Sequence, residues 1–111
     1  MYGTIMRAKI KAGRKDEYQR LLEQEIPSAE AYGNGLHSVE MAWEDKDPDR
    51  VVVIVHFRDR ESYVANADRA ETNSEYQKQA EFFDGQPEWT DINYVKYVGK
   101  PVGQESGAAA V

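Results

Sequence analysis

Residues 2–11, YGTIMRAKIK, alternate in polarity: Tyr2, Thr4, Met6, Ala8 and Ile10 oppose Ile5, Arg7, Lys9 and Lys11. A period of two predicts a strand, because successive side chains leave opposite faces. Gly13 closes the pattern, and RKDEYQRLLEQEIPSAEAY then places Tyr18, Leu21, Leu22, Ile26 and Ala29 on one helical stripe. Pro27 has no amide hydrogen, so it predicts a kink, a stop or a short second turn. After the turn signal GNG at 33–35, LHSVEMAWE alternates again: His37, Val39, Met41 and Trp43 against Leu36, Ser38, Glu40, Ala42 and Glu44. DKDPDR reads as a hairpin-type connection. VVVIVHFR at 51–58 is apolar on both faces, which predicts a central strand covered on each side.

Asp59 is placed to cap a helix over about 60–70. Thr72 with Glu75 resembles a capping box, so a second piece is expected to start near 73. DGQPE at 84–88 ends it, and WTDINYVKYVG at 89–99 supplies the last alternating strand. KPVGQESGAAAV has no periodicity and is expected as a flexible C-terminal tail over 100–111, leaving 1–99 as one domain. The order βαββαβ with short connections predicts an α+β fold, a ferredoxin-like antiparallel sheet with helices on one face. Helices cover one face only, yet the third strand is apolar on both. A second copy packed sheet to sheet is the economical cover, which predicts a homodimer.

Composition narrows the partners. The formal charge is −6 over 111 residues, against general nucleic-acid binding, and RAKIKAGRK is the only basic cluster. With no cysteine, disulfides, thiolate metal sites and cysteine nucleophiles are excluded. No apolar run approaches the ~20 residues of a membrane span and no signal pattern opens the chain, so a cytoplasmic protein is expected. The two histidines, His37 and His56, lie on different strands without ligand spacing, so no metal site is predicted.

Three strings carry a resemblance: VVVIVHFRDRESYVAN at 51–66, SEYQ at 74–77 and PEW at 87–89. With the element order, they make residues 2–99 resemble the antibiotic biosynthesis monooxygenase type of dimeric α+β-barrel domain. The resemblance implies a homodimer whose sheets close into a barrel, with a pocket between sheet and helices in each subunit. Some members of that family oxidise aromatic phenols with dioxygen and neither metal nor flavin; others degrade haem, isomerise lactones or have no established activity. In the phenol oxidisers an asparagine, a tryptophan and a tyrosine on this helical segment contact substrate. The asparagine matches Asn66 and the tyrosine matches Tyr76, while the tryptophan position holds Ala70. Haem ligation by the family's pattern needs a helix histidine, and residues 60–83 contain neither His nor Trp.

At 100° per residue, Tyr63, Ala67 and Ala70 form a stripe with Asn66 on its flank, and Tyr76, Ala80 and Phe83 form the next. Asn66 and Tyr76 are the candidate catalytic pair, hydrogen-bond donors to a developing oxyanion. Tyr63, Ala70 and Phe83 are the candidate substrate contacts, and no cofactor is expected. The alternative is that Tyr76 packs and Asn66 is solvated. His56 alternates with Val52 and Ile54, away from the Val51, Val53, Val55 and Phe57 side; if that latter side meets the helices, His56 falls on a subunit interface near Arg58. Trp43, Trp89, Tyr94 and Tyr97 on the outer strands could wall the pocket or seal the subunit contact, the second being favoured because edge strands need cover, and Arg7 and Lys9 are expected to pair with Glu40 and Glu44 between strands or subunits. Two functions follow: a cofactor-independent monooxygenase acting on a small aromatic or quinol-type ligand, or a non-catalytic dimeric barrel that binds a small molecule or a partner.

Overall fold

The computed structural model describes residues 1–99, so the tail expected over 100–111 lies outside the described residues. Four antiparallel strands form one sheet in the order β2-β3-β1-β4. They are β1 (Tyr2–Lys9), β2 (Leu36–Trp43), β3 (Arg50–Phe57) and β4 (Glu88–Asn93). Helices α1 (Lys15–Gln24), α2 (Ala29–Gly33), α3 (Arg60–Ala67) and α4 (Ala70–Ala80) cover one face. This is the α+β ferredoxin-like arrangement that the element order predicts.

Register explains which residues face the helices. Thr4 pairs with Val55, Met6 with Val53 and Ala8 with Val51, so the even positions of β1 meet the odd positions of β3. Met6, Ala8, Val51 and Val53, with Ile10, Tyr18, Leu22 and Phe83, build the core, and Val55 packs against it. Tyr18 is fully buried, its ring edge-on to Trp43 at 6.0 Å and tilted against Phe82 at 5.6 Å. Trp43 therefore belongs to the helix-side core, and its indole nitrogen donates to Gln19 at 2.9 Å instead of sealing the opposite face.

Several boundaries differ from the sequence expectation, each for a local reason. Pro27 disfavours helical backbone at Ile26, so α1 ends at Gln24 and α2 restarts beyond Ser28, whose hydroxyl accepts from the Ala31 amide at 3.1 Å. Ile26 and Ala29 are thereby exposed, off the buried stripe. In β2 the register shifts between Leu36 and Ser38. The irregularity turns Leu36 to the helix side with Val39, and leaves His37 exposed against the His56 and Tyr97 rings. β4 pairs with β1 as far as Asn93, opposite Tyr2, and Tyr94 still donates its amide to the Met1 carbonyl at 3.1 Å.

Asp59 caps α3 as expected, its carboxylate accepting from the Ser62 amide at 2.8 Å. The turn before β2 brings Gly35 against Ser62 with φ of +105°, where a Cβ would overlap the Ser62 side chain. α4 begins at Ala70, not near 73, so Thr72 lies inside the first turn and caps nothing. Its hydroxyl instead reaches back to Asn66, with consequences for the site described next.

The face away from the helices carries Val52 and Ile54, only half-buried. Beside them His56 is 5% exposed. Its Nε2 lies 2.6 Å from the Glu40 carboxylate, and its Nδ1 2.7 Å from the Tyr94 hydroxyl. Arg58 is occupied elsewhere, with Asp59 and Ser62. Because β3 separates β1 from β2, Arg7 and Lys9 do not reach Glu40 or Glu44 within the chain: Lys9 pairs with Asp47 at 2.7 Å and Glu44 with Arg50 at 3.1 Å.

Candidate functional site

Between the helix-side face of the sheet and the helices lies a cleft of about 1080 Å³. Its floor is apolar, with Met6, Val53, Val55 and Phe57 from the central strands. The elbow at Ile26–Pro27–Ser28, where the proline divides α1 from α2, lines the cleft as well. A smaller recess of about 270 Å³ beside Trp43 and Leu22 lacks this convergence of polar groups.

Asn66, Tyr63 and Tyr76 all line the cleft. α3 ends one residue after Asn66, and α4 starts three residues later. The Thr72 hydroxyl donates to Asn66 Oδ1 at 3.3 Å across that break. This bond leaves the Asn66 NH₂ group without a partner among the described residues. Tyr76 leans on Trp89 at 5.8 Å and Phe83 at 6.2 Å, its hydroxyl likewise uncommitted. Tyr63 is already engaged, donating to Asp91 Oδ1 at 2.9 Å, which also accepts from Thr4 at 2.8 Å. Burial first, and then the Asp91 carboxylate, push its pKa up, so it remains a donor.

Two expected contacts fall elsewhere. Ala70 is the exposed first residue of α4, and Phe83 is buried in the core beneath Tyr18; neither is among the lining residues. Trp89, 50% exposed on β4, does line the cleft, so it faces the helices instead of the opposite sheet face. Among the described residues no three His, Cys, Asp or Glu side chains converge as a metal site needs. No described helix is long and apolar enough to cross a membrane.

Glu25 has a role that the sequence did not signal. It caps α1, and its side chain turns into the cleft wall against α4. Desolvation, followed by the neighbouring Glu75 carboxylate, pushes its pKa up to about 7. A carboxyl whose folded pKa exceeds its unfolded value of about 4.5 favours folding fully at low pH, and that stability is lost between about 4.5 and 7. A shift of this size is worth about 3 kcal/mol unscreened, and about 1 kcal/mol once partial exposure is allowed for. Glu25→Gln should therefore match the wild type in urea denaturation at pH 4 and exceed it by about 1 kcal/mol at pH 8. A less stable variant at pH 8 would contradict this reading of the environment.

The family model for antibiotic biosynthesis monooxygenases matches residues 1–80. The chain belongs to that family. Solved structures agree on the fold. A Nitrosomonas europaea protein bearing the antibiotic biosynthesis monooxygenase name superposes with a TM-score of 0.71 at 15% identity, covering 86% of this chain and 100% of its own. Rv0793 from Mycobacterium tuberculosis gives 0.71 at 12% identity, covering 88% and 98%. A variant of SnoaB, a cofactor-independent oxygenase from Streptomyces nogalater, gives 0.67 at 10%, covering 89% and 97%. No curated protein sequence matches the chain. For this monooxygenase-family chain, identities so low speak to architecture alone.

Proposed function

We propose that this family member is a cofactor-independent monooxygenase that oxidises a small aromatic or quinol-type substrate with dioxygen. The observation carrying this reading is the pairing of an apolar-floored cleft with two uncommitted donors, the Asn66 amide and the Tyr76 hydroxyl. An electron-rich ring held dry in such a cleft is shielded from competing water chemistry. The two donors suit the oxygen anion of a deprotonated phenol or enol. That anion passes one electron to dioxygen, and the radical pair joins at a ring carbon. For an anthrone-type CH₂ carbon, one oxygen atom stays as the new carbonyl and the other leaves as water with the two hydrogens. Trp89, tilted against Tyr76, offers the aromatic wall that a helix tryptophan gives the phenol-oxidising relatives. Oxygen uptake with a panel of hydroquinones and anthrones, absent under argon, is the expected result.

A second reading has one specific support: Ala70, at the position of that tryptophan, stands outside the cleft. On this reading the cleft binds a small molecule without oxidising it. Tight binding of an anthrone with no oxygen uptake beyond the buffer rate would favour it.

The homodimer is part of the proposal. Val52 and Ile54, with Ile5 and Ile92 beside them, present a half-buried apolar face that no helix covers. Closing two such faces removes this surface from water. Sedimentation should give a dimer for the wild type and a monomer for Ile54→Glu, which buries a charge at the centre of the contact. A monomeric wild type at micromolar concentration would remove this part of the reading.

A further inference from the structure

Two polar side chains of the cleft, Tyr63 and Asn66, are set in opposite senses by the residues behind them. They lie three positions apart on α3, the spacing at which side chains are neighbours on one helix face, and both line the cleft. Asp91 of β4 stands opposite Thr4 of β1 and is not among the lining residues. Its Oδ1 accepts from the Tyr63 hydroxyl at 2.9 Å and from the Thr4 hydroxyl at 2.8 Å. A carboxylate has no proton to give, so the direction of both bonds is fixed. Tyr63 thus commits its one proton to a group outside the cleft, and what it keeps for a ligand is lone pairs. Its ring is held in place by Phe57 at 5.5 Å and Tyr2 at 5.3 Å. Asn66 is the reverse case: Thr72 donates to its Oδ1 at 3.3 Å, which leaves the NH₂ group to donate. One wall of the cleft therefore presents an acceptor beside a donor.

We propose that Tyr63 is a specificity-determining residue, its oxygen accepting a hydrogen bond from a second, neutral hydroxyl of the substrate while Asn66 and Tyr76 donate to the reacting oxygen. Asp91 is a positioning residue that acts through Tyr63, by holding the phenolic proton away from the ligand. The substrate class is then a ring that carries a free hydroxyl apart from the oxygen that ionises. The cleft rejects the O-methylated counterpart, which has no proton to offer. An acceptor that gives up water for a ligand without a donor is left unpaired, and that unpaired state is what discriminates. The inference rests on the reading that the cleft takes a phenolic ligand, and it names the second group that this ligand bears.

The test uses 4-hydroxybenzophenone and 4-methoxybenzophenone, which resist aerobic oxidation and carry a carbonyl oxygen in place of the reacting oxygen anion. At about pH 6 the phenolic hydroxyl is protonated, and the wild type should bind the hydroxyl probe about ten-fold more tightly than the methoxy probe. Tyr63→Phe keeps the ring between Tyr2 and Phe57 and leaves Thr4 bonded to Asp91, and its preference should fall below about two-fold. Asp91→Ala frees the Tyr63 proton to meet the methoxy oxygen and should narrow the preference as far. Asp91→Asn still presents an acceptor to Tyr63 and should retain it. A merely structural role for Asp91 would weaken both probes alike and leave their ratio unchanged. Wild-type protein that binds neither probe, or both equally, overturns the proposal, and so does a preference that survives Tyr63→Phe or Asp91→Ala. If Tyr63 carries the preference while no hydroquinone or anthrone consumes oxygen, the assignment of Tyr63 stands and the oxygenase reading fails. Oxygen uptake without the preference removes this assignment alone.

Discussion

Tyr18→Ala should leave the protein with no more than about 2 kcal/mol of stability at room temperature. The residue has no exposed surface and stacks among Trp43, Phe82 and Phe83, at the meeting point of α1, β2 and the segment after α4. Truncating a buried aromatic ring costs about 3–5 kcal/mol, from lost transfer energy and the cavity left behind. A domain of this length has a total stability near the low end of the usual range, about 5 kcal/mol, so little remains. Tyr18→Phe keeps the ring and removes only the hydroxyl that orients Gln79, at a cost of about 1 kcal/mol. Urea denaturation followed by tryptophan fluorescence measures both. A loss below 1 kcal/mol for Tyr18→Ala would mean that the core is not centred on this ring.

Asn66→Ala and Tyr76→Phe should each lower kcat/KM for oxygen-dependent turnover by about 100-fold, the usual cost of one preorganised oxyanion donor. Their combination should cost less than the product of the two, because both donors address one oxygen. Stability should barely change in Tyr76→Phe, which keeps the ring against Phe83 and Trp89. In Asn66→Ala the Thr72 hydroxyl loses its acceptor, at about 1 kcal/mol or less. Because these costs to folding are small, a large kinetic loss reads out the cleft and not the fold. Unchanged rates in both variants would move the chemistry elsewhere.

The strands, and the face that each strand residue takes, were largely legible. Alternation in β1 and β3 sorted the residues into two faces without saying which one meets the helices, and Pro27 and Asp59 marked helix limits through backbone chemistry that acts locally. The misreadings came from single-residue geometry. One irregularity at His37 moved Leu36 onto the cleft side, which strict alternation forbids. Starting α4 at Ala70 took Thr72 out of its capping role and made it the clamp on Asn66. Glu25 was illegible for a different reason. An acidic residue at a helix end reads as solvated, and its partial burial depends on α4 packing against it across 54 residues of sequence. Trp43 alternates with Val39 and Met41, so its helix-side position was present in the pattern although the edge-strand argument pointed it outward.

The central claim is that the cleft inserts oxygen from dioxygen into a bound aromatic ring. Turnover of an anthrone by the purified wild-type protein under ¹⁸O₂, read by mass spectrometry, tests it most directly. The expected product carries one ¹⁸O atom in its new carbonyl, forms at the same rate after chelator treatment, and is lost in the Asn66→Ala, Tyr76→Phe double variant. Product free of label, or labelled equally by the double variant, would contradict the assignment of oxygenation to this cleft.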